Sequence, residues 1–182
     1  LLLSASDVAI VPNPLPAELV EFQSSGKNDE LLTIVSSSSA SPLRNLAPEV
    51  LERLVRLAEE NDLKLVSIGG NVYDPRYVKN LGSLSRRETF DIMSRSSICF
   101  TPTKFESFST SGLEALYSGA HLMASLESPQ GELAESLQLR IDLDTPILAL
   151  ESNRLKDDVQ QTLLETFGIQ RVIEKLQDVY FH

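Results

Sequence analysis

Apolar residues fall along this chain in short unbroken runs, and the stretches between them carry apolar residues at helical spacing. Leu31-Leu32-Thr33-Ile34-Val35 predicts a buried strand, ended by the polar run Ser36 to Ser41. From Pro48 to Glu60 the apolar Leu51, Leu54, Val55 and Ala58 predict a helix. Pro48 suits its first turn, and Glu49/Arg53 and Glu52/Arg56 support its exposed face. Leu63 to Ile68 is a second strand closed by Gly69-Gly70, and Val78 to Leu81 a short third one. Ser85-Arg86-Arg87-Glu88 is a capping box that opens a helix reaching about Arg95. Ile98 to Thr101 predicts a fourth strand stopped by Pro102. A helix then runs from about Ser111 to Ser118, with Gly119 at its C-terminal end.

His121 to Ala124 predicts a fifth strand, Ser128-Pro129 starts a short helix, and Ile147 to Leu150 offers a sixth strand. The tail from Leu155 to Phe181 reads as two helices broken at Gly168, with Leu164, Ile169, Val172, Ile173 and Leu176 facing inward. Strands that are apolar throughout, alternating with helices, imply an α/β fold: a Rossmann-like parallel sheet sandwiched by helices. Ligands of such sheets bind beyond the carboxyl ends of the strands, where helix N-termini point.

Composition narrows the function classes. The chain has 182 residues, 42% hydrophobic and 23% charged, as in an ordinary globular domain. A net charge of -10 argues against broad contact with nucleic acid or anionic lipid. The single cysteine, Cys99, lies in the apolar Ile98-Cys99-Phe100 and reads as a buried, inert thiol. No disulfide is then expected, which fits a reducing, cytoplasmic setting. No apolar run approaches a membrane span. The opening Leu1-Leu2-Leu3 has no initiator methionine and no basic start, so the chain reads as a segment of a longer protein.

The candidate chemistry concentrates between the fourth strand and the helix after it. Phe105-Glu106-Ser107-Phe108-Ser109-Thr110-Ser111-Gly112-Leu113-Glu114 holds two carboxylates with seven residues between them. Backbone N–H groups of Ser107 to Ser111 at a helix start suit diphosphate oxygens. A loop carboxylate can accept hydrogen bonds from sugar hydroxyls, and one in the first turn can hold ribose hydroxyls. The sequence contains no metal-ligand spacing and no nucleophile elbow, so no metal is expected.

These residues resemble the signature of the GT-B-fold glycosyltransferases of the glycogen-synthase and sucrose-synthase type, E-G-F-G-x-x-x-x-E-A-x-x-x-G-x-P-V. Glu106 and Glu114 match its glutamates, Phe108 its phenylalanine, Ala115 its alanine and Gly119 its glycine. Other stretches follow in order. Val11-Pro12-Asn13-Pro14 is similar to the linker entering the family's C-terminal domain, and Ile68-Gly69-Gly70 to a V-G-x-G strand end. Val78 to Gly82 is similar to V-x-F-L-G near the nucleobase, and Thr101-Pro102-Thr103 to the P-S pair before the first glutamate.

The resemblance implies one half of a GT-B fold, with residues 1–14 as an interdomain linker and 15–182 as the nucleotide-sugar domain. It implies a retaining, metal-independent transfer of a hexosyl group from a nucleotide sugar, completed by an N-terminal domain of the same protein. Glu106 would contact the donor sugar as the catalytic residue, and Glu114 the ribose. Ser107, Phe108, Ser109, Thr110, Arg44, Asn45, Gly69 and Leu81 complete the donor-binding set. Docking of the parent at the inner face of a membrane stays open.

The chain also departs from the family pattern. Its first strand ends in Ser36 to Ser39 where the family has G-R, leaving Arg44-Asn45 near the position of the family's phosphate-binding lysine. Ser109 replaces the second glycine of the motif, His121 replaces a proline, and the D-G-x-N-G-x-L segment is absent. A transferase-like module without catalysis, serving assembly or regulation, is therefore the alternative function. Several residues also carry bland readings. Glu114 completes a second capping box with Ser111, Arg44 is an exposed charge as readily as a phosphate ligand, and Arg86 and Arg87 read as solvated. His121 reads as a structural histidine, and the ring of Phe108 as packed beneath its loop.

Overall fold

A computed structural model describes residues 12–22, 30–36, 46–102, 109–125, 128–142 and 157–181. Its centre is a five-stranded parallel sheet in the order β3-β2-β1-β4-β5. The strands are β1 (Leu31–Val35), β2 (Lys64–Ile68), β3 (Lys79–Asn80), β4 (Ser96–Phe100) and β5 (His121–Met123). Around them lie α1 (Ala17–Val20), α2 (Pro48–Glu60), α3 (Arg86–Ser94), α4 (Thr110–Tyr117), α5 (Pro129–Ser136), α6 (Asp157–Phe167) and α7 (Ile169–Phe181). This is the expected α/β Rossmann-like architecture.

Strand pleating sends alternate side chains to two separate cores. Leu32 and Ile34 of β1, Leu65 of β2, and Ile98 and Phe100 of β4 meet Leu54, Leu57 and Ala58 of α2. On the opposite face Val35, Ile68, Cys99 and Leu122 meet α1, α3, α4, α5 and α6 through Leu19, Phe90, Met93, Leu113, Leu116, Ala134 and Leu163. Each fully buried leucine of this kind contributes about 2 kcal/mol relative to exposure. Cys99 sits in this second core, and burial pushes its thiol up to about 12, so it is the inert thiol expected.

Polar atoms inside the sheet are paired at two points. Thr33 Oγ1 lies 2.7 Å from Ser96 Oγ, which also reaches the Ile92 carbonyl at 2.7 Å and so ties β1 and β4 to the end of α3. Asn80 accepts at Oδ1 from Ser67 Oγ and from the Tyr73 amide, and donates to the Tyr73 carbonyl. This clamp holds the loop between β2 and β3. Beyond it, Leu81 N donates to Ser67 O and Gly69 N to Gly82 O, so β2 and β3 stay paired past their strand ends.

Two expectations change. The tail does form two helices around Gly168, but Leu163, Phe167 and Val172 are its buried residues, while Ile169, Ile173 and Leu176 are exposed. The apolar stripe is wider than the face that packs, and the domain covers only the side next to α4. Ala17–Val20, where no element was expected, form α1, with Leu19 buried under α3. After α5 the chain returns along β5 through a parallel bridge between Leu122 and Arg140. The expected strand at Ile147 to Leu150 lies outside the described residues. No helix among the described residues is long and apolar enough to cross a membrane.

The end of β2 makes a tight backbone contact at the carboxyl edge of the sheet. Gly69 has φ +104°, and a Cβ there would stand 2.2 Å from the Ser36 carbonyl oxygen at the end of β1. At Gly119, φ is +96° but a Cβ meets nothing within 4 Å. Gly119→Ala is expected to cost about 1–2 kcal/mol from backbone strain alone. Gly69→Ala adds a backbone collision and is expected to cost about 3 kcal/mol or more. Urea midpoints of the two variants check this; equal losses would contradict it.

Candidate functional site

The strand order reverses direction between β1 and β4, which carry their connections to opposite sides of the sheet. Open parallel sheets bind their ligands at the carboxyl edge of the strands beside such a reversal. Helix α4 begins at this edge. Its N-cap is Ser109, whose Oγ accepts from Gly112 N at 3.3 Å. The helix thus starts at Thr110, a residue earlier than expected, and Glu114 is not the partner of a Ser111 capping box. With the cap supplied by Ser109, the Glu114 carboxylate is released from backbone duty.

What that carboxylate does instead is unusual for a buried charge. Glu114 is only 7% exposed, and its carboxylate accepts no hydrogen bond from any described residue. Its nearest opposite charge is Arg86 at the first position of α3, with Nη2 3.7 Å from Oε1, an ion-pair distance too long for a hydrogen bond. Arg86 also faces Glu18 of α1 at 3.9 Å. Burial pushes the Glu114 carboxyl up to about 7; Arg86 opposes this, and Glu18 adds to it. A carboxylate held in this way is costly to the fold and marks a candidate functional group.

Two more buried polar groups lie in the same part of the fold. The side-chain amide of Gln130, in the first turn of α5, is fully buried with neither its nitrogen nor its oxygen partnered. It packs on the first turn of α4, where a Cβ on Gly112 would come within 3.1 Å of Gln130 Cβ. Thr101, just past β4, is 4% exposed and its hydroxyl is likewise unpartnered. Native interiors rarely leave such groups unsatisfied. Sequence reading gave neither a site role: nothing in the local pattern distinguishes Gln130 from an ordinary helix polar, and Thr101 stood out only within the stretch similar to the P-S pair.

The other expected site residues separate into two groups. Ser109 is buried as the cap and Thr110 is exposed at the first turn of α4. Gly69 and Leu81 are half-buried at the paired ends of β2 and β3, at the carboxyl edge of the sheet. Glu106, Ser107, Phe108, Arg44 and Asn45 lie outside the described residues. Arg86, expected to be solvated, instead joins Glu114, although its side chain stays 56% exposed. His121 is half-buried and hydrogen-bonded to the Ser97 backbone, with burial holding its imidazole below the usual histidine range. It is the structural histidine expected.

No protein-family model matches the sequence, and no curated protein matches it either. Solved structures do resemble it in fold. AviGT4, a glycosyltransferase involved in avilamycin A biosynthesis, matches with TM-score 0.64 and 14% identity over 93% of this chain and 56% of its own. Sucrose-phosphate synthase from Thermosynechococcus elongatus matches with TM-score 0.58 and 16% identity over 94% of this chain and 51% of its own. The K341M mutant of Thermobaculum terrenum O-GlcNAc transferase matches with TM-score 0.59 and 15% identity over 92% of this chain and 38% of its own. The chain therefore has the fold of a Rossmann-like domain of GT-B glycosyltransferases, and spans about half the length of the first two.

The buried carboxylate has a consequence for stability. Because the folded-state pKa of Glu114 is raised, its contribution is fully present below the unfolded value and is lost as pH rises through about 7. Glu114→Gln, which stays neutral, should match the native chain at pH 5. At pH 8 it should be more stable, by on the order of 2 kcal/mol. Thermal melting at the two pH values tests this; a gap that does not widen with pH would contradict it.

Proposed function

We propose that this chain binds the nucleotide part of a nucleotide-diphosphate sugar, as the donor domain of a retaining glycosyltransferase that moves a hexosyl group to an acceptor. One observation carries the reading: a buried carboxylate, Glu114, with no hydrogen-bond donor among the described residues, on a helix that begins at the carboxyl edge of a parallel sheet. Ribose hydroxyls would supply the donors that the fold leaves out. The fold shared with glycosyltransferases supports the class of reaction.

In this reading the amides that open α4 receive the diphosphate, where the helix dipole and unpaired N–H groups favour negative charge. Glu114 accepts from the ribose hydroxyls. Gly69 and Leu81 border the nucleobase side, with Glu106 as the sugar-facing carboxylate and Arg44 and Asn45 on the diphosphate. The acceptor is taken up by a second domain of the parent protein, so the isolated chain binds nucleotide weakly and catalyses little.

Titration with UDP, GDP and ADP, followed by amide chemical shifts, tests the binding. At least one nucleotide at millimolar concentration is expected to move the resonances of Ser109 to Leu116. No movement with any of the three removes the donor-site reading and leaves the non-catalytic assembly module as the better one. In the full-length protein, Glu106→Ala should reduce turnover about a thousandfold. An unchanged rate would exclude Glu106 from catalysis.

A further inference from the structure

Arg86 stands at a position that helix electrostatics disfavours. It is the first residue of α3, where the positive end of the helix dipole opposes a cation. The capping box of Ser85 and Glu88 already secures that helix end, so Arg86 is not needed there. Its guanidinium lies 3.7 Å from Glu114 and 3.9 Å from Glu18, between carboxylates of α4 and α1. The exposed Glu18 gains little from this contact, while the buried Glu114 has no other cation within reach among the described residues.

We propose that Arg86 is the positioning residue of the ribose site, keeping Glu114 ionised and aimed so that it can accept the ribose hydroxyls. The proposal rests on the donor-binding reading of Glu114. A carboxyl taken out of water tends to keep its proton, and a protonated carboxyl loses much of its capacity to accept two hydroxyl donors. The cation beside Glu114 opposes that protonation. Glu18 acts in the opposite sense, and it also draws Arg86 toward α1. Among the described residues, β5, α5 and α6, which also pack on α4, bring no charge that shifts Glu114.

Nucleotide affinity is then expected to fall as pH drops through neutrality, with a midpoint that Arg86 sets. Calorimetric titration of the full chain between pH 6 and 9 tests this, using whichever of UDP, GDP and ADP binds. The same ligand with each variant cancels the ligand's own ionisation. Arg86→Met should move the midpoint up by about one pH unit. It should weaken binding at pH 7 several-fold and leave affinity at pH 9 close to native. Arg86→Lys, which keeps a cation on the same helix turn, should hold the midpoint near the native one. Arg86 is exposed, and an unchanged melting temperature of Arg86→Met at pH 5, where Glu114 is protonated in both proteins, would show that its fold is intact.

Glu114→Gln separates the two levels of the argument. If it weakens binding and flattens the pH profile, while Arg86→Met gives the native profile, the role of Arg86 is wrong and the donor site stands. An equal loss of affinity for Arg86→Met at every pH, not rescued by lysine, also overturns the proposal. If Glu114→Gln binds as the native chain does, with the native pH profile, the ribose site itself is wrong and the role of Arg86 goes with it.

Discussion

A parallel sheet covered on both faces gives its chain little freedom in where to place polar chemistry. Every strand must run in the same direction, so every carboxyl end emerges at one edge, and each connection must cross a face to return. In this domain the two cores fix that geometry: α2 covers one face, and α1, α3, α4, α5 and α6 the other. The strand order reverses beside β1, and at such a reversal the ligands of open parallel sheets bind. Serine-capped α4 starts at that edge, and packing of Gly112 against Gln130 sets its first turn close to α5.

The same packing creates the chemical tension of the domain. Close burial of α4 strips water from Glu114 without giving it a donor among the described residues, and it strips water from the Gln130 amide in the same way. Each unsatisfied buried group costs about 1–3 kcal/mol. A fold selected for stability alone would have apolar residues there or supply partners. Stability given up at a site is commonly recovered when a ligand completes the hydrogen bonds. The ion pair with Arg86 relieves only part of the cost, because a 3.7 Å separation provides attraction without a hydrogen bond.

Local signals explain what was legible in the sequence. The apolar runs of β1, β2, β4 and β5 and the Ser85–Glu88 capping box need only neighbouring residues, and they are found where the pattern places them. The start of α4 was less certain, because Ser109 and Ser111 are both able caps; the N–H of Gly112 goes to Ser109. The contact between Arg86 and Glu114 joins two helices far apart in sequence, and no periodicity announces it. The inner face of the tail also depends on what it meets: Val172 is buried and Ile173 is not, although both are apolar neighbours. Gln130 is conspicuous only through its unmet hydrogen bonds, which exist only once the fold does.

The central claim is that Glu114 is kept buried and unpartnered for ribose hydroxyls. Its most direct test compares a nucleoside diphosphate with its 2′,3′-dideoxy analogue in a double-mutant cycle with Glu114→Gln at pH 8. The native chain should bind the dideoxy compound at least tenfold more weakly, a coupling of about 1.4 kcal/mol, and the variant should barely distinguish the two. Equal discrimination by both proteins would place the ribose elsewhere and contradict the account.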